Sequence, residues 1–301
     1  MTANLVSLFV GSQTVQFSTS TPPTGMLTIF DGNFSPNDTT SPVQVTLALP
    51  PFTRWNGVQP PGHAITALST PSDCACPQIL RYLDQTHLDG GQKTSVNIGL
   101  NLCLPTNSAL PAQMPNGAVN AVPTGNDLCT DLSRSMGALA AVVPAQPSTP
   151  PPGSNSVDLY FVHSTATLLG TQTPTVTEFQ LFNNLTGGNL PTTANSKLCL
   201  LVGPYYHVTT LPPGGTFIHQ HQDFADYDIV QVMVPPAFTN PYVVPVSIQA
   251  STYTGPDNNM HSGPDGPRNL TATYTPSGND FDQNSSSIAH PVSQIALDQL
   301  S

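Results

Sequence analysis

The sequence has very few of the charged residues that usually cover a soluble protein. Its 301 residues include one glutamate, Glu178, and two lysines, Lys93 and Lys197, and the charged fraction is 8%, against about 25% in ordinary soluble domains. Glu and Lys favour helices and typically occupy their exposed faces. Their scarcity argues against a helical protein. It indicates a surface kept hydrated by Ser, Thr, Asn, Gln and Pro.

The scarcity of basic residues argues against direct binding of nucleic acid. The formal net charge is −11, from 17 acidic and 6 basic residues, and phosphate binding needs several Lys or Arg on one surface. Here the basic residues are scattered along the sequence. All acidic residues except Glu178 are Asp, which favours turns and caps, so the acidity belongs mainly to loops.

Long apolar runs are also missing. No stretch of about 18 apolar residues is present, so we expect no membrane span. The first residues lack a basic segment followed by a clean apolar core, so we predict a soluble protein of extracellular type without a signal peptide. A hydrophobic fraction of 38% is nevertheless enough for a substantial core, and disorder is not expected.

Cysteines are few and odd in number. The sequence has five, which do not form a dense disulfide framework. Cys74 and Cys76 form an isolated Cys-x-Cys pair, and Cys103 or Cys129 could join it. We expect mostly buried thiols with at most one bridge, because free cysteine commonly packs as a small apolar residue.

Short apolar runs between turn signals predict an all-β fold. Turn sequences such as 60–62 (PPG), 211–215 (LPPGG) and 262–267 (SGPDGP) alternate with β-branched or alternating segments, the pattern of a sandwich or barrel. The predicted class is a jelly roll or a related antiparallel β-sandwich, with two β modules as one form of it. The predicted strands are 5–10, 14–18, 26–30, 43–49, 95–100, 157–163, 175–182, 198–203, 227–234, 242–252 and 271–274.

Two segments of the first half are predicted as short helices. Residues 77–85 place Ile79, Leu80 and Leu83 at helical spacing. Residues 127–143 follow Asn126, a plausible N-cap, and carry acidic residues near the positive end of the expected helix dipole.

A Pro-rich segment at 144–154 divides the chain, and such a composition is typical of a semi-rigid linker or an extended surface crossing. The predicted organisation is therefore a β-rich module with helical excursions at 1–143, the linker at 144–154, and a β-sandwich of jelly-roll type at 155–301. Residues 43–53 and 230–239 share a strand ending in Pro-Pro and an aromatic residue. This similarity is equally compatible with duplicated modules and with chance.

The densest group of chemically active side chains is His207, His219, His221 and Asp223. A His-x-His pair on a strand puts both imidazoles on one face, and a third His with an Asp could complete a metal site. The run Gly215–His221 resembles the first metal motif of cupins, which implies a metalloenzyme. It departs from that motif in its short Gly-to-His spacing and its missing Glu, and ordinary surface histidines are the competing interpretation.

No sequence motif for catalysis is present. The chain lacks a nucleophile elbow and a phosphate-binding loop, so we predict a protein that is not an enzyme and needs no cofactor. Asp226 and Asp228 are the best candidates for paired carboxylates, although Asp is common at the start of a strand. Trp55, the only tryptophan, could stack on a sugar or cap a core strand.

Residues 234–251 lead from a Pro-aromatic stretch into a long apolar strand. This segment resembles the later strands of jelly-roll coat proteins of icosahedral viruses. The resemblance implies a structural capsid protein located in the virion, with copies of itself and other capsid proteins as partners. Without a basic arm, an outer, penton, protrusion or cementing position is expected.

Two alternatives remain open. One is a glycan-binding or adhesin-type β-sandwich, with a host receptor or glycan as its ligand, and the other is the cupin-like metalloenzyme. Because few groups titrate, we also expect little change in stability between about pH 4 and 8.

Overall fold

The protein is built from β-strands and loops. The computed structural model describes residues 3–84, 87–110, 114–143, 149–164, 166–170, 173–184, 192–282 and 287–297, and these residues contain no helix longer than an isolated turn. Scarcity of Glu and Lys and abundance of turn residues both favoured this outcome. The all-β sandwich prediction is confirmed.

The first half contains thirteen strands in two main sheets. The strands are β1 (Asn4–Val6), β2 (Leu8–Ser12), β3 (Val15–Gln16), β4 (Thr24–Asn33), β5 (Val43–Ala48), β6 (Thr53–Trp55), β7 (Thr66–Ser69), β8 (Ile79–Asp84), β9 (Lys93–Leu102), β10 (Gly117–Pro123), β11 (Asp127–Cys129), β12 (Met136–Leu139) and β13 (Ala141–Val142). One sheet has the order β2-β4-β9-β6 and the other β12-β10-β5-β8-β7. Two short parallel pairs, β1 with β11 and β3 with β13, complete this half.

The second half repeats this arrangement. Its strands are β14 (Asn155–Val157), β15 (Leu159–His163), β16 (Ala166–Leu169), β17 (Thr175–Asn183), β18 (Ser196–Val202), β19 (Tyr206–Thr210), β20 (Gly215–His219), β21 (Asp228–Val234), β22 (Tyr242–Ala250), β23 (Thr252–Thr254), β24 (Met260–Ser262), β25 (Gly266–Thr275), β26 (Asp280–Asp282) and β27 (Ser287–Ile295). The sheets have the orders β15-β17-β22-β19 and β16-β27-β25-β18-β21-β20. β14 pairs with β26 in parallel, as β1 does with β11.

Each half encloses its own apolar core between its two sheets. Alternating residues of β4 and β9, such as Leu27, Ile29 and Val96, are buried in the first core. Phe179 and Val244 are buried in the second. The strand orders correspond to the A-B-E-D and G-F-C rows of immunoglobulin-type sandwiches, with two added strands beside the C-equivalent strand. Of the two predicted forms, a jelly roll or a related antiparallel β-sandwich, the fold is therefore the related β-sandwich.

Local contacts show that the two halves are repeats of one unit. Asn4 donates to the Asp127 carboxylate at 2.6 Å, and Asn155 donates to Asp280 at 2.8 Å. The same carboxylates accept the backbone N–H of Thr40 at 2.8 Å and of a second threonine, Thr193, at 2.7 Å. Each Asp is preceded by a glycine and an asparagine, in the sequences PTGND (123–127) and PSGND (276–280). Those glycines, Gly125 and Gly278, have φ values of 66° and 65°.

The similarity between 43–53 and 230–239 does not mark this repeat. Residues 43–48 form β5, whose equivalent by sheet order is β18, whereas 230–234 lie in β21, the equivalent of β8. The true correspondence is visible after β5 and β18, where Phe52 and Tyr205 both have positive φ, 64° and 70°.

Both predicted helices are wrong. Residues 79–84 form strand β8, which pairs with β5 on one side and β7 on the other. Residues 127–143 form β11, a turn, β12 and β13. In both places apolar residues at helical spacing also fit a strand, and the neighbouring strands supply hydrogen bonds that local propensity does not anticipate.

The halves pack through their larger sheets. Ala48, Cys76 and Ile79 of the first half form a buried cluster with residues of the second half, including Leu201 and Ile229. The polar contacts around the cluster are reciprocal. Arg81 on β8 pairs with Asp223 at 2.9 Å, and Gln231, at the equivalent position on β21, donates to Asp73 at 3.3 Å. The two repeats therefore meet through equivalent surfaces, as subunits of a two-fold dimer do.

The cysteines form two bridges, so the expectation of mostly free thiols is wrong. Cys74 bonds Cys103 within the first half, and Cys76 bonds Cys199 across the boundary between the halves. Cys129 is free and buried. The sequence did not indicate these pairs because the partners meet only through tertiary packing. Disulfides of this kind persist in oxidising environments.

Candidate functional site

The four residues predicted as metal ligands lie around one end of the second half. His207 is on β19, His219 is the last residue of β20, and His221 and Asp223 follow in the loop that leads to β21. They do not converge on one point. Among the described residues, no group of three or more His, Cys, Asp or Glu side chains is arranged to hold a metal ion.

His219 is removed from the set by a buried ion pair. Its Nε2 lies 3.1 Å from Asp226 Oδ2, and both side chains are almost completely buried. Burial alone would raise the pKa of Asp226, but hydrogen bonds from His219 and from the backbone N–H groups of Tyr227 and Gln222 outweigh it and lower that pKa. This pair fixes the loop between β20 and β21.

Asp223 is also engaged elsewhere. One oxygen lies 2.9 Å from Arg81 Nη1, and the other accepts the backbone N–H of Ala225 at 3.0 Å. The carboxylate therefore contributes to the contact between the halves. Its partner Arg81 is far from Asp223 in the sequence, so no local pattern could predict this pair.

His207 and His221 are brought together, with ring centroids 4.6 Å apart. His221 Nδ1 lies 2.8 Å from Asp228 Oδ1, and His207 Nδ1 lies 2.9 Å from Ser251 Oγ. Asp228 is fully buried and also accepts the backbone N–H of Val208 at 2.7 Å. Its hydrogen bond raises the pKa of His221, whereas burial, and then the neighbouring His221, lower the pKa of His207.

Sequence analysis missed the roles of Asp228 and Ser251. Asp226 and Asp228 were considered as paired carboxylates, but each is committed to a different histidine. Comparison of the two repeats gives a signal that identifies the role of Asp228. Gln78, the first-half equivalent of Asp228, accepts the backbone N–H of Trp55 at 2.9 Å, just as Asp228 accepts that of Val208.

A second polar cluster lies inside the first sandwich. Asp31 and Asp84 are fully buried. His63 Nε2 and the Thr94 hydroxyl contact Asp84 at 2.9 and 3.0 Å, and the Tyr82 hydroxyl lies 3.5 Å from Asp31 Oδ1. Asp31 Oδ2 receives no N–H or O–H from a described residue. A proton shared with the Asp84 carboxyl, to which Asp31 is hydrogen-bonded, would satisfy this oxygen.

This arrangement changes the titration of Asp31. Burial first, and then the neighbouring Asp84, raise its pKa from 3.8 to about 7. Composition predicts a flat stability profile between pH 4 and 8, whereas the environment of Asp31 predicts a profile that changes near pH 7.

Trp55 is partly buried and packs against the first core. Its indole N–H donates to the Val58 carbonyl at 3.2 Å. The side chain thus caps the end of strand β6, and its indole N–H is occupied by this hydrogen bond. Less of the indole ring is available to stack on a sugar than in a fully exposed tryptophan.

The basic residues do not form a common patch in the described part of the chain. Arg54 donates to backbone carbonyls of the adjoining loop, Arg81 pairs with Asp223, Arg134 pairs with Asp131, and Lys93 lies over the Phe34 ring. No helix of the described residues is long and apolar enough to cross a membrane.

The outward face of the sheet β15-β17-β22-β19 carries several exposed apolar side chains together with Glu178 and Gln180 of β17. The side chains of Tyr160, Val162, Val176 and Val243 are between 41% and 62% exposed. Tyr160 stacks on Phe182 across β15 and β17, with ring centroids 5.0 Å apart. Gln180 lies between Val162 and Val243 in the strand register. We call this surface the β17 face.

The equivalent surface of the first half is more polar along its third strand. By strand register, Ser95 and Asn97 on β9 stand where β22 has Val243 and Pro245. Thr28 donates to Asn97 at 2.8 Å across this face, and its apolar side chains are Met26 and the stacked pair of Phe9 and Phe34. The contrast shows that the repeat does not require an apolar outer face.

No protein family and no curated protein matches the chain. The structure is similar, with a TM-score of 0.29 and 11% identity, to a protein of unknown function from Porphyromonas gingivalis W83, over 95% of this chain and 98% of that one. It is also similar to the B domain of a biofilm-associated protein, with a TM-score of 0.27 and 9% identity, over 96% and 88% of the two chains. Similarities of this size assign no function.

Proposed function

We propose that the protein is a structural, non-enzymatic building block of a virus capsid that associates with copies of itself through the β17 face. The observation that carries this proposal is the contrast between the two repeats. On the outward face of the first repeat, strand β9 carries Ser95 and Asn97, while the equivalent strand β22 of the second repeat carries Val243 and Pro245. Contiguous exposed apolar surface commonly marks an interaction site.

A second copy is the partner that best fits this face. Gln180 lies among the apolar residues of the β17 face, and a side-chain amide both donates and accepts, so it can pair with itself across a two-fold axis. Sheets also pack face to face at about 10 Å. The chain already uses such packing, because its two repeats meet through equivalent surfaces.

Other features support a structural role outside the reducing cytosol. Two disulfides stabilise the first half and the boundary between the halves. Arg54, Arg81 and Arg134 contact other groups of the protein, which argues against a phosphate-binding surface built from them. An outer, penton, protrusion or cementing position is the form of the proposal that these features support.

The test is self-association of the purified protein with and without a charge on the β17 face. We expect light scattering and negative-stain microscopy to show oligomers, and closed assemblies for the capsid form of the proposal. Val243→Glu should weaken association at least tenfold, because it adds a second carboxylate to a contact that already contains Glu178, a loss of about 1.4 kcal/mol or more. High salt should favour association, since it screens repulsion between chains of net charge −11.

Ser95→Glu is the matched control, because it adds the same charge at the equivalent position of the other repeat. It should leave association unchanged. A wild-type protein that stays monomeric at high concentration, or a Val243→Glu variant that assembles like the wild type, would refute the proposal. Specific binding on a glycan array by the monomer would instead support the adhesin alternative.

A further inference from the structure

We propose that His207 and His221 form a binding site for a divalent transition-metal ion such as Zn²⁺, with the metal bound by the Nε2 atoms of both rings. The two imidazoles lie side by side, with centroids 4.6 Å apart. In both rings it is Nδ1 that contacts protein, and neither Nε2 bonds a described residue. This inference does not depend on self-association.

Asp228 supplies what a metal-binding imidazole usually needs behind it. A carboxylate only accepts, so the contact with Asp228 puts the proton on His221 Nδ1 and leaves the Nε2 lone pair available. Histidines that bind metals typically donate their other ring nitrogen to a carboxylate, carbonyl or water. Asp228 is fully buried and held by the backbone N–H groups of Val208 and His221, so the ring orientation is fixed.

In the first repeat, a positively charged side chain occupies the equivalent place. By strand register, Arg54 on β6 is the equivalent of His207 on β19. Its guanidinium crosses to the neighbouring loop and donates to the carbonyls of Pro71, at 3.1 Å, and Asp73. Pro71 is the equivalent of His221. The gap that the arginine bridges in one repeat is thus flanked by two imidazoles in the other.

The spacing of the rings suits one ion. Tetrahedral Zn²⁺ with Zn–N bonds of about 2.0–2.1 Å places two nitrogen ligands roughly 3.3 Å apart. The ring centroids are 4.6 Å apart, so binding one ion requires His207 to turn towards the fixed His221 ring. The pair opens into a groove of about 390 Å³ that is also lined by Gln222 and Gln249. Water fills the remaining coordination positions, because no third His, Cys, Asp or Glu of the described chain joins the pair.

Calorimetric titration of the folded protein with Zn²⁺ tests this site. We expect about one ion per chain, and loss of that binding in His207→Ala and in His221→Ala. Ser251→Ala removes only the partner of His207 Nδ1 and should weaken binding about tenfold, since outer partners of metal ligands typically contribute 10–100-fold. His87→Ala is the control, because His87 is an exposed histidine that pairs with Asp89.

A measurement on the wild-type protein does not depend on whether the variants fold. Long-range ¹H–¹⁵N spectra should show Zn²⁺ shifting the Nε2 resonances of His207 and His221 and leaving Nδ1 protonated in His221. Absence of binding to the wild type, binding by the double alanine variant at wild-type affinity, or Nε2 shifts confined to other histidines would each overturn the proposal.

Discussion

Replacing Asp31 with asparagine tests whether one buried carboxyl makes the stability of this protein depend on pH. Asp31 lies inside the first sandwich against Asp84, with His63, Tyr82 and Thr94 as the other polar groups of the cluster. Its pKa is raised from 3.8 to about 7 in the folded state. The contribution of Asp31 to stability is therefore fully present below pH 3.8 and is lost as the pH rises through about 7.

The size of the effect follows from the pKa change. A rise from 3.8 to about 7 corresponds to roughly 4 kcal/mol in total, of which about 3 kcal/mol falls between pH 5 and pH 8. The amide of the Asp31→Asn variant carries no charge at any pH and keeps the shape of the side chain. We expect the variant to be more stable than the wild type at pH 8 by an amount of the same order, with a much smaller difference at pH 5.

Urea unfolding at pH 5 and pH 8, at constant ionic strength, measures both quantities. Asp131→Asn is the control, because Asp131 lies at the surface beside Ser133 and Arg134, neither of which changes its charge between pH 5 and 8. It should therefore leave the slope between pH 5 and 8 unchanged. The reasoning fails if the wild type is equally stable at both pH values, or if Asp31→Asn keeps the wild-type slope.

Two further predictions follow from the repeat and its covalent links. Removing the Cys76–Cys199 bridge as a double serine variant should lower the free energy of unfolding by about 5 kcal/mol, from the loop entropy of 123 residues; a loss below about 1 kcal/mol in urea unfolding would show that the bridge does not constrain the unfolded chain. Thr40→Ala and Thr193→Ala should each cost about 1–3 kcal/mol and by similar amounts, because both hydroxyls donate to a buried carboxylate at 2.9 Å. Strongly unequal losses would contradict the equivalence of the two networks.

Much of the fold class could be predicted from composition, but the paths of individual segments could not. Turn residues and β-branched runs located most strands, because both act through the local backbone. Residues 77–85 are predicted as a helix because their apolar residues fit either period, and pairing with β5 and β7 makes residues 79–84 a strand. The sequences PTGND and PSGND mark the repeat, whereas the longer similarity between 43–53 and 230–239 joins strands that are not equivalent.

The candidate sites divide in the same way. The histidines near 207–221 were found from their clustering, because side chains on one strand and its adjoining loop lie close together in any fold. Which of them face each other was not predictable. His219 contacts Asp226, and Asp223 pairs with Arg81, a residue more than a hundred positions away in the sequence. Tertiary packing between distant segments also brings Asp31 to Asp84 and joins the cysteines of the two disulfides.

The sequence by itself determined an all-β protein with a neutral, hydrogen-bonding exterior, because local propensities and the near absence of Glu and Lys act without knowledge of distant contacts. Tertiary structure alone decided that two repeats meet through equivalent faces, that the outward face of β22 carries valine and proline where β9 carries serine and asparagine, and that His207 lies against His221. Each of these depends on strand register and sheet order, which bring together residues far apart in the chain, and no local pattern records those distances.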